Sequence, residues 1–168
     1  MVDDIVVDTH HHFLPSEAVK YARKTEDGDY TFILGRFSTA SKLMQDVEKT
    51  LAYMEACGIH MVLLSMGAWI PNGLETCRAI NDGYAKIQKE YPGKFITCAH
   101  VPVHQGAEAM DELKRSIEIL GLQGVALITS YSHMAIDSDE MMPFYERISG
   151  YQVPIVVHPT LRRPLWGV

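Results

Sequence analysis

The sequence predicts an α/β domain organised around a parallel sheet, and three observations carry that prediction. Short apolar runs rich in β-branched residues alternate with longer segments whose apolar residues recur every three or four positions. After the first unit the runs begin about 30 residues apart, the spacing of strand–helix repeats whose strands lie parallel. Two runs at opposite ends of the 168-residue chain, IVVDTHHH and IVVHPT, close on histidine.

The first strand is expected over Ile5–Asp8, where Ile5, Val6 and Val7 suit a strand buried on both faces and Phe13-Leu14-Pro15 stops it. Side chains of a strand alternate faces, so His10 and His12 point one way and His11 the other. Two imidazoles on one face at a strand end make half of a metal site. A solvated polar loop, or one buried histidine with two exposed neighbours, competes with that reading. A purification-tag remnant would carry more histidines and no β-branched lead-in. Residues about 15–40, including TEDGDYTFILGRFSTAS, read as a polar, glycine-bearing insertion over the C-terminal end of this strand, where parallel folds place substrate contacts.

Further strands are expected at Met61–Met66, Phe95–Ala99, Gly124–Ile128 and Ile155–His158. A helix is predicted from Ser41 to Cys57, with Leu43, Val47, Leu51 and Met54 on one stripe and Gly58 as its stop. Between Leu74 and Tyr91 the stripe is Cys77, Ile80, Tyr84, Ile87 and Tyr91, closed by Pro92-Gly93. Ala107, Met110, Leu113, Ile117 and Leu120 form the next, up to Gly121. A shorter helix has Pro143 in its first turn, Tyr145 and Ile148 facing inward, and Gly150 at its end. Methionine and aromatic residues in these stripes are read as core contacts.

Composition narrows the function. A content of 47% hydrophobic and 21% charged residues with a net charge of −6 describes one globular domain, residues 1–168, able to bury a sizeable core. With 15 basic against 21 acidic side chains and no basic run, a nucleic-acid or anionic-membrane partner is not expected. A small-molecule partner is. No apolar stretch approaches the ~20 residues of a membrane span. Cys57, Cys77 and Cys98 form no CxxC pair, and together with Asp3 and Asp4 where a secretory leader would be basic they point to reduced thiols in a cytoplasm. All three are read as core or helix packing.

His158 ends the last apolar run, and Pro159 breaks it. Taken alone, His158 fits a core histidine bonded to backbone. Taken with His10 and His12, it supplies a third imidazole at the C-terminal ends of the strands, the face where parallel βα folds build their sites. Three histidines can hold one divalent ion, zinc first and manganese second, and a catalytic zinc uses three protein ligands plus water. Asp8, two residues before His10, is either a hydrogen-bond acceptor behind an imidazole or a strand-end cap. His100 either lines the pocket or is a loop histidine. Arg36, Arg162 and Arg163 could fork onto a substrate carboxylate, though surface arginines are usually solvated. His11 is read as structural or rim-exposed, and His60, His104 and His133 are given no role.

DTHHHFLP, GIHMVLLSM, AINDGYAKIQKEYPGKFITCAHVPV, GLQGVALI and VPIVVHPT, in this order, resemble the amidohydrolase-related (amidohydrolase-2) family, which includes the aminocarboxymuconate-semialdehyde decarboxylase group. The resemblance implies a (β/α)8 TIM barrel with His10 and His12 as first-strand ligands and His158 as the fifth-strand ligand of a single metal. GVALITSY offers no lysine to bridge two metals. It further implies a later acid/base histidine and a metal-binding aspartate, which this chain does not supply. A full barrel takes about 250 residues, so the expected architecture is a barrel truncated after about five βα units, the N-terminal part of a longer frame. The implied activity is that of a metal-dependent hydrolase or decarboxylase acting on a small carboxylated or carbonyl-bearing substrate. The alternatives are a catalytically incomplete fragment, a non-catalytic metal-binding half-barrel that forms a homo-oligomer, or a phosphoesterase of the histidinol-phosphatase kind.

Overall fold

The computed structural model of the chain describes residues 4–21, 42–131 and 134–159. The strands are β1 (Val7–His12), β2 (Met61–Ser65), β3 (Phe95–His100), β4 (Gly124–Ile128), β5 (Ser130–Tyr131), β6 (Met134–Ala135) and β7 (Ile155–His158). The helices are α1 (Ser16–Val19), α2 (Val47–Cys57), α3 (Leu74–Glu90), α4 (Ala107–Lys114) and α5 (Met142–Tyr151). Strands β1, β2, β3, β4 and β7 pair in that order, all parallel, while β5 and β6 make a short antiparallel ribbon.

Curvature follows from one distance. Flat strands spaced ~4.8 Å apart would put β1 and β7 roughly 19 Å from each other across four intervals. The ring centroids of His10 and His158, one on each edge strand, are 5.6 Å apart. The sheet is therefore curled into a parallel half-barrel with helices outside, as the truncated-barrel expectation required.

Register decides which side chains line the inside. His12 pairs with Ser65, His100 with Ala126, and Ile128 with His158, and partners in a parallel ladder share a face. Ser65, Cys98, His100, Gly124, Ala126 and Ile128 thus share the inner face with the edge-strand histidines. Small residues make room there: a Cβ on Gly124 would lie 2.9 Å from Cys98 Sγ. On the outer face α3 buries Cys77, Ile80, Tyr84 and Ile87, the stripe the periodicity predicted. Fully burying side chains of this size is worth about 1.5–3 kcal/mol each. The Tyr84 hydroxyl also donates to the Phe13 carbonyl at 2.7 Å, tying α3 to the segment just past β1.

Several boundaries differ from expectation for identifiable reasons. β1 begins at Val7 and runs through the histidines, and Ile5 is 71% exposed, because β1 is an edge strand with one neighbour. The other edge strand exposes Ile155 and Val157 in the same way. The helix before β2 starts at Val47, after Asp46 caps it by accepting from the Lys49 amide, and stops at Gly58 with φ 66°. In α5 the stop is Gln152, at φ 53°, one residue past the helix, and Gly150 lies inside it.

The buried face of α4 is rotated from the predicted stripe: Ala109, Glu112 and Leu113 are inside, and the helix runs on into a π turn over Arg115–Ile119. A buried carboxylate is tolerable only when paired. Glu112 takes a fork from Arg115 at 2.8 and 2.9 Å and a bond from Asn81 Nδ2 at 2.7 Å. Cys77 and Cys98 are buried as expected, but Cys57 is exposed at the end of α2.

Candidate metal centre

β1 and β7 bring three imidazoles together at the C-terminal end of the half-barrel. One ligand atom from each of His10, His12 and His158 lies within 4.8 Å of the others. Ring centroids are 4.9 Å apart for His10 and His12 and 5.3 Å for His12 and His158. Zinc–nitrogen bonds of about 2.0–2.1 Å would place tetrahedral donors about 3.4 Å apart. The rings therefore need to draw in by about an ångström to close on an ion, a movement that side-chain rotation supplies.

The donor set fits such an ion. His12 Nδ1 donates to the Ser65 carbonyl at 2.9 Å, which leaves Nε2 bare for a metal. His158 Nδ1 is buried and makes no well-formed hydrogen bond, although the Pro159 backbone beside the ring partly offsets the lowering of its pKa by burial. Burial lowers the His12 pKa, opposed by the bond to the Ser65 carbonyl and helped by His10. Burial, then His12, lowers that of His158. Both rings are biased towards the neutral form a metal requires.

His158 reaches the cluster because of a glycine. Gly67, just past β2, packs so close that a Cβ there would lie 2.6 Å from His158 Cβ. Sequence reasoning missed both Ser65 and Gly67. Their only sequence signal is the Ser-Met-Gly that ends the apolar run of β2.

The other expected site residues fall in different places. His11 points away from the trio, with Nδ1 3.3 Å from Asp8 Oδ2 and its ring 6.2 Å from that of Tyr53. Asp8 also accepts the His10 amide through Oδ1 at 3.0 Å. Its imidazole partner is thus His11 and not a member of the trio, because a register shift between Asp8 and His11 breaks simple alternation. His100 is fully buried, with Nδ1 2.9 Å from the Cys98 carbonyl and Nε2 accepting the Met66 amide at 2.7 Å. Both ring nitrogens are occupied, so it does not offer a free edge to a pocket. Burial pushes its pKa down to about 3. Arg36, Arg162, Arg163 and His133 lie outside the described residues, as does most of the 15–40 insertion, of which residues 16–19 form α1.

A cavity of about 440 Å³ lies between β1 and the start of α2, lined by His10, His11, His12, Met44, Lys49 and Tyr53. It is large enough for a small organic ligand. Among the described residues no helix is long and apolar enough to cross a membrane.

Residues 7–167 match the sequence profile of the Amidohydrolase family. Among curated proteins, the chain is 28% identical over 169 residues to the gamma-resorcylate decarboxylase of Rhizobium sp. (strain MTP-10005), covering 92% of this chain and 49% of that protein. The chain spans about half the length of the curated relatives it matches. The crystal structure of 2,6-dihydroxybenzoate decarboxylase from Rhizobium superposes with a TM-score of 0.71 at 25% identity, over 97% of this chain and 51% of that one. That of 5-carboxyvanillate decarboxylase from Sphingomonas paucimobilis gives 0.81 at 23% identity, over 92% and 52%.

Proposed function

This chain belongs to the Amidohydrolase family, and from that premise we propose that it forms the metal-holding half of a decarboxylase or hydrolase acting on a small carboxylated or carbonyl-bearing substrate. The observation that carries the reading is the convergence of His10, His12 and His158 from strands at opposite edges of one sheet. Such convergence brings three imidazoles together, two of them partly buried, with no carboxylate among the three ligand atoms, and an ion is what would hold them there. The relatives' named reactions favour decarboxylation of an aromatic carboxylate over hydrolysis.

His10, His12 and His158 would hold one divalent ion, zinc first and manganese as the alternative. When bound, the ion supplies Lewis-acid polarisation of a substrate oxygen and a bound water of lowered pKa. The chain's own groups prepare the site for it. The Ser65 carbonyl fixes the His12 tautomer, Gly67 lets His158 stand across from β1, and burial keeps His12 and His158 from being lost to protons. β4 carries no lysine, so no bridging ligand for a second metal comes from that strand.

Metal analysis after dialysis tests the reading. Wild type should retain near one equivalent of zinc or manganese; His10→Ala, His12→Ala and His158→Ala should lose it, and His11→Ala should keep it. Equal loss in His11→Ala would mean an unorganised histidine cluster. Full binding in His158→Ala would remove β7 from the site and overturn the reading. Carbon dioxide release from a panel of hydroxybenzoates then separates decarboxylase from hydrolase.

A second reading is favoured by the exposed apolar residues at both sheet edges, Ile5 and Val6 leading into β1 with Val7 on it, and Ile155 and Val157 on β7. Open edges of this kind invite pairing with another chain, and a half-barrel that completes itself with a second copy would bury them. A homodimer by light scattering that binds metal but turns over none of the panel would favour this alternative.

A further inference from the structure

His100 touches none of the three metal-site imidazoles through a hydrogen bond, yet it holds the other end of the peptide that one of them uses. Met66 N donates to His100 Nε2 at 2.7 Å, and the carbonyl of the same peptide group, Ser65 C=O, accepts from His12 Nδ1 at 2.9 Å. A single planar amide thus lies between two imidazoles. Because Nε2 of His100 accepts an N–H, it carries no proton. The ring proton is on Nδ1, donated to the Cys98 carbonyl at 2.9 Å.

The residue that does this is itself clamped. The Asn81 side-chain amide bonds both backbone groups of His100, accepting from its N–H at 2.7 Å and donating to its C=O at 3.0 Å. Asn81 is tied in turn to Glu112, which Arg115 holds with two bonds. A rigid path of hydrogen bonds therefore runs from α4 through α3 and β3 to the end of β2. An apolar residue would fill the inner face at position 100 as well as histidine does, but it would leave the Met66 amide without an acceptor in a dry interior, and the peptide would be free to turn.

We propose that His100 is a positioning residue of the metal centre: by accepting the Met66 N–H it orients and polarises the Ser65 carbonyl, which locks His12 as the Nδ1–H tautomer and presents Nε2 to the ion. Hydrogen bonds in series strengthen one another in this way, and partners behind a ligand typically set metal affinity by about 10- to 100-fold. This inference rests on the reading of His10, His12 and His158 as a metal site.

The test uses the purified, metal-stripped protein with zinc as probe. Imidazole ¹⁵N spectra of wild type should show both His12 and His100 protonated at Nδ1 and bare at Nε2. His100→Phe, which keeps a ring but has no acceptor, should weaken zinc about 10- to 100-fold by chelator competition and let His12 populate both tautomers. His100→Gln, whose amide oxygen can accept near the Nε2 position, should recover most of the affinity. Wild-type zinc affinity in His100→Phe overturns the inference while leaving the metal site standing. So does an Nε2–H tautomer of His12 in the wild type, which decides the matter even if His100→Phe does not fold. A wild type that binds no zinc overturns the metal site and this inference with it.

Discussion

Gly67→Ala should disable the site without touching a ligand. The added Cβ would stand 2.6 Å from His158 Cβ, 3.1 Å from its Cγ and 3.6 Å from Ile128 Cγ2. Carbon atoms pack at about 3.5–4.0 Å, so the shortfall at His158 is about 1 Å. Rotating the imidazole gives no relief, because Cβ is fixed to the backbone of β7. That strand is paired only with β4, through Val125–Ile128, and its other edge is open among the described residues, so it is the part that moves. Overpacking of this kind costs about 1–3 kcal/mol, a fall of several degrees in Tm for a chain of this size. The effect on metal is larger, since ligand distances tolerate only about ±0.2 Å. Zinc affinity should drop by at least the 10- to 100-fold typical of a lost supporting contact.

Gly150→Ala is the matched control, because nothing lies within 4 Å of its Cβ position inside α5. It should leave zinc binding unchanged and raise stability by about 0.5–1 kcal/mol. Chelator competition and thermal melts on both variants are sufficient. Wild-type affinity and Tm in Gly67→Ala would refute the claim that a glycine at this point sets the position of His158.

Stability should fall in acid through His100. Its folded pKa, about 3, lies below the ordinary 6.5 because burial disfavours the charged ring, so the stabilisation is fully present above pH 6.5 and is lost as the unfolded chain takes up the proton below it. The loss is about 1.4 kcal/mol per pH unit at most, down to about pH 3; urea midpoints from pH 7 to 4 should show one proton's slope fewer in His100→Phe than in wild type. Glu112→Ala should destabilise by about 2–3 kcal/mol in urea, less than the 3–5 of a wholly buried pair, because Arg115 is 30% exposed and can turn to water. Glu112→Gln, which keeps an acceptor for Asn81, should lose less, and equal loss in the two would place the effect in charge alone.

The parts of the fold that could be read in the sequence are those governed by local periodicity. The α3 stripe of Cys77, Ile80, Tyr84 and Ile87 is buried as its spacing required, and Gly58 ends α2 in the left-handed conformation that favours glycine. The expected pairing of His10 with His12 apart from His11 is matched by their ligand atoms, which cluster with His158, while the His11 ring lies against Tyr53. Where two periods meet, local reading failed. On α4 the apolar residues suggested one face, but Glu112 with Arg115 three residues on, opposite Asn81 of α3, pulls a polar seam inward, and the π turn that follows carries Ser116 into it. An acid and a base three apart within an apolar stripe, matched by an asparagine inside the neighbouring stripe, is the signal that could have shown it.

The missing parts of the site have a different cause, which is that they depend on pairs far apart in the chain. His10 and His158 meet only because the sheet curls, and curling is a property of five strands together that no one strand encodes. Once it curls, facing strand ends are separated by side-chain lengths, so whether a histidine fits is decided by the residue opposite it. Gly67 and Gly124 yield that space, and Ser65 and Met66 offer one peptide group to two histidines 88 residues apart in sequence, His12 and His100. A sequence pattern treats Gly67 as a turn residue and His100 as one more histidine at a strand end. In the folded chain they act on the same trio from two sides, the first setting where His158 stands and the second setting which nitrogen His12 presents. Substituting both should therefore weaken zinc by something other than the product of their separate effects, because Gly67 adjoins Met66, whose amide His100 holds, and the His12 and His158 rings they act on lie 5.3 Å apart at one site.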